Sequence, residues 1–160
     1  MTPSSASVSW SVEVDTAEDM HALGIRLAGA LRAGDLVVLS GGLGAGKTTL
    51  TRGIGEGLRV RGAVTSPTFV VARVHPSTIG GPALVHVDAY RLTDLAEVDD
   101  LDLDASLEES VTVVEWGAGM VEGLSDERLD IVIVPSVGPD EETRTVTMHG
   151  MGPRWSGVDL

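Results

Sequence analysis

The sequence contains no cysteine, a single lysine and only five aromatic residues, and these shortages narrow what the protein can do. Without cysteine there is no disulfide, no thiolate zinc site and no cysteine nucleophile. No apolar run approaches the roughly 20 residues that cross a bilayer, and the N-terminal region lacks the basic and apolar segments of a secretory signal. We therefore expect a cytoplasmic protein without membrane contacts.

Positive charge is also scarce, because 24 acidic residues outnumber 11 basic ones and give a net charge of −13. Proteins bind nucleic acids mainly through lysine and arginine, so this balance argues against DNA binding and against wide direct contact with RNA. The acidic segment 94–109 contains no basic residue. Two interpretations of this segment stay open: a solvated helical face, or a docking surface for a basic partner.

The pattern of apolar residues predicts one α/β domain with a mixed central sheet. Thr16 is a candidate N-cap, and apolar residues at helical spacing follow it as far as Gly34. The continuous apolar run 35–40 is typical of a strand buried on both faces of a parallel sheet. The other expected elements are strands at 7–14, 69–75, 83–88, 111–115, 129–134 and 143–149, a helix at 47–58 and short helices at 92–110. We place the domain at 1–149 and expect a poorly ordered tail at 150–160.

Residues 41–48, GGLGAGKT, satisfy the pattern G-x-x-x-x-G-K-[ST] of a phosphate-binding loop. Glycines allow the positive φ angles that aim successive N–H groups at an anion, and the next helix presents its positive N-terminus. Lys47 supplies charge to the β- and γ-phosphates, and the Thr48 hydroxyl is a hard oxygen ligand for Mg²⁺. A buried strand before the loop and an amphipathic helix after it predict a three-layer, P-loop NTPase-like fold that binds ATP. The loop residues expected to contact nucleotide are Gly42, Leu43, Gly44, Ala45, Gly46, Lys47, Thr48 and Thr49.

Two carboxylates follow predicted buried strands, at the edge where α/β sheets bind ligands. Asp88 closes the strand 83–88, and Glu115 closes the strand 111–115. Either one can contact Mg²⁺ or orient a water molecule, and the sequence does not decide between them. We predict catalytic roles for Lys47, Asp88 and Glu115, and metal-binding roles for Thr48, Asp88 and Glu115.

Three further residues are candidates for the same site. Ser66 and Thr68 flank a proline, and their hydroxyls could reach the metal or the γ-phosphate, although Ser-Pro-Thr also forms a plain turn. Trp116 is either an adenine contact or a core residue. The four histidines have no metal-ligand spacing, so we expect ordinary surface or strand positions for His21, His75, His86 and His149.

Four motifs together resemble the TsaE (YjeE) family of bacterial ATPases. They are GGLGAGKTTLTRGIGEGL at 41–58, SPTFVV at 66–71, HVDAYRL at 86–92 and VVEWG at 113–117. The resemblance implies a mixed-sheet P-loop fold and ATP hydrolysis in support of threonylcarbamoyl transfer to adenosine 37 of tRNA. It also implies ATP or ADP and Mg²⁺ as cofactors, and the proteins TsaD and TsaB, which perform the transfer, as partners. Contact with tRNA is then only indirect, through the complex.

The site residues carry over from the family motifs as follows. Lys47 and Thr48 match the phosphate and Mg²⁺ positions, and residues 66–68 match the switch-like loop. Asp88 matches the Walker-B-like acid, and Glu115 with Trp116 matches the E-W pair. Two residues depart from the family pattern. Gly42 stands where the family often has aspartate, and Gly117 where proline is frequent, so any contact made by that aspartate is in doubt.

Other functions remain compatible with the phosphate-binding loop. One is a nucleotide-gated assembly module, in which ATP binding orders a complex and hydrolysis only resets it. A small-molecule kinase is less favoured because the chain after Asp88 is acidic and lacks an arginine-rich lid. A GTPase is disfavoured because the sequence has no N-K-x-D motif. Since no obvious arginine finger lies within the motifs, we expect slow hydrolysis by the protein alone and acceleration by a partner.

Overall fold

A computed structural model of the chain describes residues 7–41, 46–60, 72–88, 109–115, 127–135, 143–155 and 158. The strands are β1 (Ser7–Val14), β2 (Leu36–Gly41), β3 (Ala72–His75), β4 (Ala83–Asp88), β5 (Ser110–Glu115), β6 (Arg128–Pro135) and β7 (Arg144–Met151). The helices are α1 (Ala17–Ala28), α2 (Lys47–Leu58) and a 3₁₀ turn, Pro153–Trp155. The short helices expected at 92–110 lie outside these ranges, apart from Glu109 and Ser110, the second of which begins β5. None of the described helices is long and apolar enough to cross a membrane.

The strands form a single seven-stranded sheet in the order β1-β7-β6-β2-β5-β4-β3. The four neighbours β6, β2, β5 and β4 are parallel to one another, whereas β1, β7 and β3 pair antiparallel with their neighbours. The predicted mixed central sheet is therefore confirmed. Because the central strands are parallel, their carboxyl ends meet at one edge of the sheet.

The hydrophobic core lies between the sheet and the two α-helices. Val37 and Leu39 of β2 belong to the same core cluster as the buried residues of α1 and α2. Leu36 and Val38 point to the opposite face of the sheet and are buried as well. The prediction that β2 is buried on both faces is thus confirmed. Burial on both faces explains why polar and apolar residues do not alternate along this strand.

Helix α1 begins where the sequence predicts and ends earlier. The Thr16 side chain accepts a hydrogen bond from the Asp19 backbone N–H at 3.1 Å, as expected for an N-cap. The helix stops at Ala28 rather than near Gly34, because the Gly29 N–H bonds to the Arg26 carbonyl oxygen in a tightened last turn. Leu31 lies outside the helix and is still buried in the core. This burial explains why the apolar spacing continues past the end of α1.

The C-terminal segment departs from the expected poorly ordered tail. Strand β7 continues through Gly150 to Met151, and the 3₁₀ turn follows it. Trp155 is 1% exposed and belongs to the core cluster. Gly150 makes room for it, because a Cβ at that position would lie 2.5 Å from the Trp155 Cβ. The described structure therefore continues past residue 149, at least as far as Trp155.

Candidate functional site

The predicted phosphate-binding loop connects the carboxyl end of β2 to the N-terminus of α2. Strand β2 ends at Gly41 and α2 begins at Lys47, while residues 42–45 lie outside the described part of the chain. Gly46 caps α2 with a φ of 109°, in the left-handed region. A Cβ there would also lie 3.2 Å from the Met20 Cε. Both the backbone angle and the available space therefore favour glycine at position 46.

Lys47 points back toward the strand that precedes the loop. Its side chain is buried, and its Nζ donates a hydrogen bond to the Gly41 carbonyl oxygen at 2.8 Å. The ammonium group is thereby held beside the last residue of β2, at the carboxyl edge of the sheet. An ammonium has three N–H donors, so this bond is compatible with further contacts to phosphate oxygens.

The N-terminus of α2 presents backbone N–H groups at the same edge. The first intrahelical bond runs from the Leu50 N–H to the Gly46 carbonyl oxygen, so the N–H groups of Lys47, Thr48 and Thr49 precede the helical ladder. Gly46 supplies no side-chain cap, and the first turn contains no acidic residue. The helix dipole and these N–H groups together favour an anion at this position.

The two predicted carboxylates lie on neighbouring parallel strands. Asp88 of β4 and Glu115 of β5 are direct register partners. On its other side, Glu115 is the register partner of Leu39 in β2, two residues before Gly41. Adjacent strands are about 4.8 Å apart. The structure therefore places the backbone of both acidic residues close to the end of β2, where the loop starts.

Glu115 has a buried partner that sequence reasoning missed. Its side chain is 5% exposed, and its Oε1 lies 3.0 Å from the Nε2 of His86, which is 0% exposed. The sequence suggested an ordinary strand histidine because no metal-ligand spacing includes it. A usable signal did exist: His86 precedes Asp88 by two residues, so both belong to one face of β4.

The remaining candidates either lie outside the described residues or are histidines with other partners. Ser66, Thr68 and Trp116 lie outside the described residues, so their predicted roles stay predictions. His21 pairs with Glu56 at 2.7 Å on the helical surface, and the Nδ1 of His149 lies 2.8 Å from the Ser9 hydroxyl. Across the described ranges, no group of three or more histidine, aspartate or glutamate side chains is arranged around a common metal position.

Comparison with known sequences decides the family. A family model described as "Threonylcarbamoyl adenosine biosynthesis protein TsaE" matches residues 14–145. The chain belongs to the TsaE family. The TsaE protein of Streptomyces coelicolor, described as a tRNA threonylcarbamoyladenosine biosynthesis protein, is 65% identical over 143 residues, covering 88% of this chain and 97% of that protein. Its Bacillus subtilis counterpart is 40% identical over 139 residues, covering 86% and 84% of the two chains.

A solved structure supports the TsaE assignment at the level of the fold. The crystal structure of Bacillus subtilis YdiB superposes with a TM-score of 0.74 at 30% sequence identity, covering 94% of this chain and 91% of that one. The resemblance inferred from the four motifs is therefore confirmed. The TsaE family is one of threonylcarbamoyladenosine biosynthesis proteins, which assigns the chain to a tRNA modification pathway.

Proposed function

We propose that the protein is a Mg²⁺-dependent ATP hydrolase that serves the TsaB–TsaD transferase as an accessory subunit. The modification it supports is the threonylcarbamoyl group on adenosine 37 of tRNA, and the protein reaches tRNA only through the complex, in the cytoplasm. The observation that carries the proposal is the buried Lys47, bonded to the Gly41 carbonyl at the N-terminus of α2. The ends of the strands that carry Asp88 and Glu115 lie beside it.

The proposed nucleotide contacts follow from this placement. The α2 N-terminus and the Lys47 ammonium supply positive charge to the phosphates of ATP or ADP. The loop N–H groups complete the phosphate site, and Ser66, Thr68 and Trp116 stay in the proposal as γ-phosphate and adenine-side contacts. The full set of loop residues assigned to the nucleotide is Gly42, Leu43, Gly44, Ala45, Gly46, Lys47, Thr48 and Thr49.

The oxygen chemistry at this edge suits Mg²⁺. The ion prefers hard oxygen ligands and is usually held by one or two carboxylates together with substrate phosphates and water. The Thr48 hydroxyl and the carboxylates of Asp88 and Glu115 are the groups that would hold it. Bound Mg²⁺ would neutralise part of the charge on the β- and γ-phosphates.

The protein's own groups then have distinct tasks. Lys47 stabilises charge that develops on the transferring phosphoryl group, the contribution that usually dominates in such sites. One of the two carboxylates, Asp88 or Glu115, orients the attacking water molecule. The other carboxylate would help to hold Mg²⁺. The phosphate-binding loop 41–48 contains no arginine, so we expect slow hydrolysis that TsaB–TsaD accelerates.

The proposal is tested by measuring phosphate release and tRNA modification by TsaB–TsaD with ATP, with and without this protein. Replacing Lys47 by alanine should lower both rates by about 10²–10³-fold, the cost of losing one preorganised charge-stabilising group. Arg26→Ala, which removes an exposed cation from α1, is the matched control and should leave both rates unchanged. Modification that proceeds equally well with the Lys47→Ala protein would contradict the proposal.

A second arm of the same experiment separates hydrolysis from assembly. Glu115→Ala should bind ATP and fail to hydrolyse it. If tRNA modification then stops after one round, hydrolysis drives the cycle. If modification continues over many cycles, ATP binding alone is sufficient and the protein is an assembly module.

A further inference from the structure

We propose that His86 is a positioning residue that holds the Glu115 carboxylate in the orientation needed for ATP hydrolysis. The inference rests on the proposed function, because Glu115 has a catalytic task only if this site hydrolyses ATP. His86 belongs neither to the phosphate-binding loop nor to the pair of strand-end carboxylates, so it is an additional residue of the proposed site.

The strand register explains how the two side chains meet. His86 pairs with Val113, and Asp88 pairs with Glu115, in the parallel ladder between β4 and β5. His86 and Glu115 are therefore diagonal neighbours on one face of the sheet, within reach of long side chains. The Glu115 carboxylate thus bonds to a group two residues back from the end of the adjacent strand instead of extending into solvent.

The hydrogen-bond chemistry fixes the direction of this contact. An ionised carboxylate only accepts hydrogen bonds, so His86 Nε2 carries the proton and donates it to Glu115 Oε1 at 3.0 Å. The other ring nitrogen, Nδ1, is buried and has no hydrogen-bond partner among the residues that the structure describes. The neutral Nε2–H tautomer leaves only an acceptor unpaired. The Nδ1–H tautomer would instead bury an unpaired donor and set the Nε2 lone pair against the carboxylate.

A purely structural role accounts poorly for a histidine at this position. Leaving a buried polar atom unpaired costs about 1–3 kcal/mol. Leu84, on the same face of β4, occupies the core without that cost. The single polar contact described for His86 is the one to Glu115. Orientation of a site carboxylate explains why this position carries a histidine despite that cost.

The bond engages one carboxylate oxygen and restricts rotation of the group. We assign the other oxygen, Oε2, to the attacking water or to the metal. A carboxylate already held in its reactive orientation does not have to be ordered during the reaction, which lowers the barrier. His86 should consequently affect kcat far more than it affects the affinity for ATP.

The test compares three variants in the presence of TsaB and TsaD. His86→Leu removes the donor and should lower kcat by about 10–100-fold, the usual effect of losing a group that orients a metal-site ligand. Its affinity for a fluorescent ATP analogue, measured with and without Mg²⁺, should stay near that of the wild type. His86→Gln keeps an N–H donor at a similar distance and should recover most of the lost rate. His75→Leu is the control, since it replaces a buried histidine on the neighbouring strand β3, near the opposite end of the sheet.

A double-mutant cycle and a spectroscopic signal separate positioning from stability. In a Glu115→Gln background, His86→Leu should produce no further loss of kcat, because it acts through Glu115. The ring nitrogens of His86, observed by ¹H–¹⁵N NMR, should report the Nε2–H tautomer, and the Nε2–H resonance should move in the Glu115→Gln protein. The NMR measurement needs neither nucleotide nor metal. It compares the wild type with Glu115→Gln, so it does not depend on whether His86→Leu folds.

The possible failures are distinguishable. If the wild-type protein hydrolyses no more ATP than Lys47→Ala, the proposed function and this inference fall together. If the wild type is active and His86→Leu hydrolyses at the same rate, only the positioning role is wrong. The positioning role is equally wrong if the His86 and Glu115 effects on kcat are additive, if His86→Gln gives no rescue, or if the spectrum shows Nδ1–H.

Discussion

Two arginine–aspartate pairs show how strongly burial changes the contribution of one arginine to the stability of the fold. Arg154 donates through Nε and Nη2 to both carboxylate oxygens of Asp35, each at 2.9 Å, and the two side chains are 11% and 4% exposed. Its guanidinium also lies 4.4 Å from the centroid of the Trp155 ring. Arg128 and Asp130, two residues apart on β6, are 16% and 28% exposed. Of these two pairs, only Arg154–Asp35 contains a carboxylate that is almost fully buried.

We expect Arg154→Ala to lower the free energy of unfolding by about 3–5 kcal/mol, because it leaves the buried Asp35 carboxylate without its main partner. Arg128→Ala, the matched control, should cost only about 0–1 kcal/mol, as for pairs near the surface. Urea denaturation of both variants measures the difference. Adding Asp35→Asn to Arg154→Ala should restore part of the stability, since it removes the unpaired charge. Equal losses in the two arginine variants would contradict this interpretation.

The position of a residue was predictable where it depends on neighbours in sequence, and pairings across the fold were not. Lys47 was placed correctly at the start of α2, because the loop and the helix are contiguous with it in sequence. His86 meets Glu115 across 29 residues, and Arg154 meets Asp35 across 119. The partner of neither residue can be identified from a single sequence, because one pairing depends on strand order and the other on the path of the C-terminal segment.

At the scale of elements, α1 and α2 touch through their backbones. A Cβ at Gly53 would lie 2.1 Å from the His21 carbonyl oxygen, and one at Gly24 would lie 2.3 Å from the Leu50 carbonyl oxygen. Glycine at both contacts lets the helices approach more closely than side chains would allow. Since α2 carries the predicted phosphate site at its N-terminus, α1 acts as its support.

Gly53→Ala tests this contact. In an isolated helix the change should stabilise by about 1 kcal/mol, because alanine favours helix more than glycine does. Here we expect a loss of about 1–3 kcal/mol, since the new methyl group meets backbone atoms that cannot move aside. Gly81→Ala is the control, because the nearest atom to its Cβ is the Ser77 Oγ at 3.6 Å. A stabilised Gly53→Ala protein in thermal denaturation would show that the helices separate without cost.

The elements themselves were largely predictable, and the misplaced ends have physical causes. The bounds of α2 agree with the prediction, because the phosphate-binding loop and the apolar stripe fix its start and its buried face. Strand β7 ends at Met151, two residues after the predicted end at His149, beyond which we expected a poorly ordered tail. In the sheet Gly150 pairs with both Val8 and Leu129, and its missing side chain leaves space for Trp155.

At the scale of the whole molecule, the C-terminal turn closes the core. Trp155 packs on β7, while the backbone N–H of Arg154 bonds to Glu127, just before β6, at 2.6 Å. Arg154 also reaches Asp35, next to the start of β2. The turn therefore ties together segments that are far apart in the chain, although its composition suggested a loose tail.

A chain that ends at Gly152 should be less stable than one that ends at Val158. Loss of the buried Trp155 side chain alone costs about 3–5 kcal/mol, which corresponds to a fall in Tm of roughly 6–20 °C for a protein of this size. The shorter chain also lacks Arg154, so loss of the pair with Asp35 adds to this fall. Both chains can be compared by calorimetry. The longer chain, which lacks only residues 159 and 160, should melt like the 160-residue chain. Identical melting of both truncated chains would mean that the domain ends before the turn.

Lys47 is the only lysine of the sequence, and its side chain is buried. It is therefore the only side-chain amine that an acylating reagent can modify. An acyl group added there removes the charge and increases the mass of the surrounding peptide by a fixed step. The rate at which that peptide gains mass, followed by mass spectrometry during acylation of the folded protein, thus reports how accessible the Lys47 amine is. The protein carries its own single-site footprinting probe, without any engineered label.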